Sequence, residues 1–119
     1  MKKTVVIGAS PNPDRYSNRA ILELQRFGYE VIGLGLREGT VGEVSILTDR
    51  PKIKGVDTVS LYVGPQHQEN WIDYIVELNP RRVILNPGTE NDQTEKRLDQ
   101  AEIKWEHACT LVLLTIGAY

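Results

Sequence analysis

Short apolar runs without polar alternation recur along the chain. Thr4 to Gly8, Glu30 to Gly35, Thr58 to Val63 and Arg82 to Asn86 are each rich in Val, Ile and Leu. Such runs suit strands buried on both faces of a parallel sheet. A fifth and weaker strand is read at Lys104 to Ala108. The stretches between them carry helical periodicity. Ala20, Ile21, Leu24 and Phe27 share one face, and Gly28 follows where a left-handed C-terminal cap would sit. Trp71, Ile72, Ile75 and Leu78 mark a second helix, stopped by Asn79-Pro80. The third, Asp92 to Glu102, has only Leu98 and Ala101 on its apolar side and is expected to be largely exposed. Leu111 to Ile116 fits a strand or a buried terminal helix, and helix is the preferred reading. Strands alternating with helices at this spacing predict one α/β domain over residues 1–119, a doubly wound parallel sheet of five strands.

Composition narrows the function classes. Of 119 residues, 40% are apolar and 25% charged, and the formal charge is −2. That balance gives no basic footprint for nucleic acid. No apolar run approaches the roughly 20 residues a membrane span needs. The N-terminus enters a short strand directly, without the apolar region and cleavage site of a signal peptide. A single cysteine makes no internal disulfide, so a reducing, cytoplasmic setting is expected.

In open α/β sheets, ligands bind beyond the carboxyl ends of the strands, where the strand order reverses. The loops to read are therefore Gly8 to Asn18, Leu34 to Arg37, Tyr62 to Pro65, Asn86 to Glu90 and Ala108 to Thr110. The first carries the most chemistry. Gly8 permits a tight exit from the strand and close approach of backbone to a phosphate. Ala9 and Pro11 keep the loop small and stiff, and Ser10 offers a hydroxyl. Ser17 or Asn18 is expected to cap the following helix, leaving other N–H groups free for an anion. Arg15 adds a forked cation suited to phosphate oxygens. Dinucleotide enzymes that prefer NAD place an acid at the end of the second strand to hold the ribose diol. This chain has Gly35-Leu36-Arg37 there, which suits a phosphorylated ribose better.

The stretch Gly8-Ala9-Ser10-Pro11-Asn12-Pro13-Asp14-Arg15, Ser17 and the Phe27-Gly28-Tyr29-Glu30-Val31 join resembles the small stand-alone CoA-binding proteins. These are similar to the nucleotide-binding domain of the succinyl-CoA synthetase alpha subunit. The resemblance runs over nearly the whole chain and includes Gly88 after the fourth strand and Cys109 after the fifth. It implies a Rossmann-like fold that binds coenzyme A or an acyl-CoA across the switch point, with no established reaction. The chain departs from the family in three loops. Leu34-Gly35-Leu36 stands for Val-Asn-Pro, Tyr62-Val63 for Phe-Arg, and Asn86-Pro87-Gly88 for a Gln-x-Gly pattern in which Asn86 keeps a shorter amide. The implied ligand-binding set is Gly8, Ala9, Ser10, Pro11, Arg15, Ser17, Asn18, Gly35, Arg37, Tyr62, Val63, Asn86, Gly88 and Cys109.

Catalysis has little support in the sequence. His107 and Cys109, two apart, would share a face if both lay on one strand, but Glu106 would point the other way and no other orienting acid is evident. A free Cys is most often a buried, inert residue. His67 and His107 are too isolated to suggest a metal site. The reading is therefore a non-catalytic carrier, sensor or regulatory module for a small nucleotide ligand. One alternative is an NADP-dependent oxidoreductase or other nucleotide-using enzyme, for which no Tyr-x-x-x-Lys set is found. Another is an interaction adaptor with a vestigial pocket. The apolar segment Leu111 to Ile116 leaves a homodimer open, and no protein partner is identified.

Overall fold

The computed structural model describes residues 2–119. Seven strands form one sheet: β1 (Lys3–Ala9), β2 (Glu30–Gly35), β3 (Gly39–Val41), β4 (Val44–Leu47), β5 (Thr58–Leu61), β6 (Arg82–Leu85) and β7 (Lys104–His107). Their order is β3-β4-β2-β1-β5-β6-β7. All neighbouring pairs are parallel except β3 and β4, which form an antiparallel hairpin. The five expected strands are present, and the count is corrected to seven by this hairpin. The helices are α1 (Tyr16–Arg26), α2 (Glu69–Leu78), α3 (Asp92–Gln100) and α4 (Thr110–Thr115), with a single 3-10 turn at Pro65–His67. The C-terminal apolar run is helical as expected, but it is not a buried helix: Leu114 is buried while Val112 and Ile116 are exposed.

Alternation along the central strands sends side chains to two cores. Val5, Ile7, Val59, Leu61, Val83 and Leu85 pack with Trp71, Ile75 and Leu78 of α2 and Leu98 of α3. Val6 and Ile84 pack on the other face with Ile21 and Leu24 of α1 and Leu114 of α4. Burial on both faces explains why these strands read as unbroken apolar runs. The radius of gyration is 12.9 Å, close to the roughly 13.5 Å of one compact domain of this length.

Local signals end the helices where the sequence suggests. Gly28 adopts φ +86, donating to Gln25 O at 2.9 Å while Tyr29 donates to Leu24 O at 3.0 Å, which is a left-handed C-terminal cap. Asn79 takes the same role after α2 at φ 48. The hairpin is held from α1 by Gln25, which donates to Val41 O and accepts from Glu43 N–H, both at 2.9 Å. The connection to β5 is fastened to α2, with Tyr74 donating to Pro51 O at 2.6 Å and the Arg50 guanidinium 3.9 Å from the Trp71 ring centre. At the amino edge of the sheet, Tyr119 is buried beneath Arg82, which donates to Tyr119 O at 2.9 Å.

Candidate functional site

The carboxyl ends of β1, β2, β5, β6 and β7 lie along one sheet edge. From neighbouring β1 and β5 the chain departs to opposite faces, into α1 on one side and α2 on the other. Two loops that diverge in this way leave a crevice between them. Glycines set its floor. Gly8 has φ +93, and a Cβ there would lie 3.0 Å from the Tyr62 carbonyl carbon. The bend at Gly8 shifts the register, so that Ala9 rather than Gly8 pairs with Gly35. A Cβ on Gly35 would then sit 2.2 Å from the Ala9 carbonyl oxygen. Gly35 is therefore required by strand packing, whatever else it meets.

The β1 loop is organised by its own polar groups. Ser10 Oγ accepts from Asn12 N–H at 3.1 Å, and Asn12 Oδ1 accepts from Asp14 N–H at 2.9 Å. Pro11 rests on the hairpin, where a Cβ on Gly39 would lie 2.7 Å from the proline Cβ. The expected capping of α1 by Ser17 or Asn18 is corrected. Both lie inside the helix, and Asn18 Nδ2 instead donates to Ser10 O at 2.9 Å. The N-cap is Arg15, extended at φ −82 and ψ 141, with no side-chain cap bond. Tyr16 and Ser17 N–H groups have no acceptor among the described residues. Arg15 is exposed and forms no ion pair among them. Free N–H groups at the positive end of an eleven-residue helix, with a guanidinium beside them, are suited to an anion.

Across the crevice, Tyr62 and Val63 follow β5 directly. The Tyr62 hydroxyl is buried without a hydrogen bond. Its neighbours Ser60 and Thr110 bond to each other at 2.8 Å; both lie close enough to pull the phenol pKa slightly down, but neither has the geometry of a hydrogen bond to it. Burial, and then the nearby Cys109, push the Tyr62 pKa well above its ordinary value. Asn86 is fully buried, and its amide is spent on the protein. Nδ2 donates to Ser60 Oγ at 3.0 Å and Leu61 O at 2.9 Å, while Oδ1 accepts from Thr110 N–H at 2.9 Å. It joins β5, β6 and the start of α4. Gly88 takes φ +93 and donates its N–H to Glu90 Oε1 at 2.9 Å.

His107 and Cys109 do not share a strand. β7 ends at His107, and the half-buried Cys109 is the N-cap of α4. His107 Nε2 meets Glu95 Oε2 at 2.9 Å instead. Glu95 is the acid the sequence reading missed, because α3 brings it to β7 across the fold. Its only local signal is its place behind Asn91, whose N–H it also accepts at 3.1 Å. Arg37 is exposed at the end of β2. Among the described residues, no group of three or more His, Cys, Asp or Glu is placed to hold a metal, and no helix is long and apolar enough to cross a membrane.

A family model described as a CoA binding domain matches residues 2–115. Among solved structures, one of an uncharacterized protein is 44% identical with a TM-score of 0.97, covering 100% of this chain and 98% of its own. Cell-free ID.343 from Thermus thermophilus has the same fold at 19% identity and TM-score 0.86, over 99% of this chain and 90% of its own. The dinucleotide-forming acetyl-coenzyme A synthetase 1 of Ca. Korarchaeum cryptofilum, in complex with phosphate and ADP, aligns at 15% identity and TM-score 0.68. That match covers 89% of this chain and 25% of the synthetase chain. Comparison with curated proteins finds no match.

Proposed function

From the chain's membership of the CoA-binding-domain family, we propose that it binds coenzyme A or an acyl-CoA at the carboxyl edge of the sheet. The sheet is read as doubly wound and Rossmann-like, with its switch between β1 and β5. The observation that carries this reading is the uncapped start of α1. The Tyr16 and Ser17 N–H groups, without acceptors among the described residues, and the exposed Arg15 end the loop that begins at the Gly8 bend, and a diphosphate would supply the acceptors they lack. Gly8, at φ +93, lets β1 end against Tyr62 and turn into this loop. Arg37, beyond the uncharged end of β2, suits the ribose phosphate that distinguishes CoA from NAD.

The protein is read as a carrier, sensor or regulatory module rather than an enzyme. What supports this reading is that Cys109 stands at the N-cap of α4, off the strand that ends at His107, and that the Asn86 amide is committed to the fold. Calorimetric titration with CoA, acetyl-CoA, NAD and NADP tests the reading. CoA or acetyl-CoA is expected to bind most tightly. Tighter binding of NAD or NADP, or no heat with CoA, overturns it.

A further inference from the structure

Gln68, at the junction of the 3-10 turn and α2, is 1% exposed. A buried primary amide at the end of a loop has to find partners for two donors and an acceptor. Nε2 donates to Val63 O at 2.8 Å and Thr89 O at 2.6 Å. Oε1 accepts from Thr94 Oγ1 at 2.7 Å. One side chain therefore joins the loop after β5, the loop after β6 and the first turn of α3. Asn91 Nδ2 adds a second tie, donating to Pro65 O at 3.2 Å.

The direction of these bonds has a consequence at the crevice. In a trans peptide, a carbonyl and the next residue's N–H point opposite ways, and the chain has no cis bond among the described residues. Gln68 draws the Val63 and Thr89 carbonyls toward itself, which turns the Gly64 and Glu90 N–H groups away from it. Neither N–H has an acceptor among the described residues. The geometry points to Gln68 as a positioning residue of the CoA site, presenting the Gly64 and Glu90 N–H groups to the amide carbonyls of the pantetheine arm. This rests on the CoA reading above: with the diphosphate at α1, the arm extends over the β5 and β6 loops on the other side of the switch.

The test compares CoA with adenosine 3′,5′-bisphosphate, which keeps the nucleotide and lacks the arm. Both are titrated into wild type and Gln68→Met below the unfolding transition. Gln68→Met is expected to weaken CoA about tenfold and the bisphosphate less than about twofold, a split that a merely structural role would not produce. Equal losses for both ligands, or none, overturn the assignment. Amide nitrogen chemical shifts of the free proteins give a ligand-independent readout. Those of Gly64 and Glu90, whose preceding carbonyls lose their donor in Gln68→Met, should move together, and unchanged shifts there overturn the positioning role even if wild type binds neither ligand. If Gln68→Met does not fold, Thr94→Val, which removes only the bond to Oε1, carries the same comparison with a smaller expected loss of about threefold.

Discussion

Tyr62→Phe is expected to make the protein more stable. Removing a tyrosine hydroxyl normally costs a hydrogen bond, but this one is buried and makes none. A buried polar group without a partner costs about 1–3 kcal/mol in lost hydration. The void left by one oxygen, about 10 Å³, returns only about 0.2 kcal/mol of that at about 24 cal/mol per Å³. Ser60 and Thr110 keep their mutual bond at 2.8 Å, so no new polar group is orphaned. The net expectation is a gain of about 1 kcal/mol, or about 4 °C in Tm for a domain of this size. Urea unfolding followed by tryptophan fluorescence measures it. The pH dependence supplies a second arm. The folded state favours the neutral phenol, because burial raises the pKa of Tyr62 above its ordinary 10.0. That contribution to stability is present in full below about pH 10 and is lost as the pH rises, since the unfolded chain ionises first. The advantage of Tyr62→Phe should therefore widen above pH 10. A loss of 1 kcal/mol or more at neutral pH would refute the reasoning and show that the phenol is hydrogen-bonded.

Arg15→Ala should weaken CoA binding by about tenfold while the free energy of unfolding in urea stays within about 0.5 kcal/mol; unchanged affinity would remove Arg15 from the phosphate site. Gly35→Ala is expected to destabilise by about 3 kcal/mol, because its Cβ would lie 2.2 Å from the Ala9 carbonyl oxygen; an unchanged urea midpoint would contradict the packing role. The Arg81 hydrogen bond holds the Asp57 carboxyl below its ordinary 3.8, despite partial burial that acts the other way. Its stabilisation is present above about pH 3.8 and lost as the pH falls through the lower folded value. Asp57→Asn should flatten the stability profile in that acid range, which denaturation at stepped pH would read.

The elements legible in the sequence are those whose burial is periodic over several residues. Val5 to Ile7 and Val83 to Leu85 are covered on both faces, so their apolar runs needed no tertiary information to be read as strands. Gly28 was equally legible, since its positive φ is a local demand. The hairpin was not. Gly39–Val41 and Val44–Leu47 are too short to show a period, and they are held by distant groups, with Gln25 at the turn and Pro11 against Gly39. The site divides in the same way. The turn residues around Gly8 and the cation at Arg15 were visible because loop composition is local. That Asn86 faces inward, that His107 meets Glu95, and that Gln68 joins two loops depended on strand register and on which helix packs beside which strand. A sequence pattern records how deeply a residue is buried. Which partner a buried polar group finds is decided by segments far along the chain, and only the folded structure brings them together.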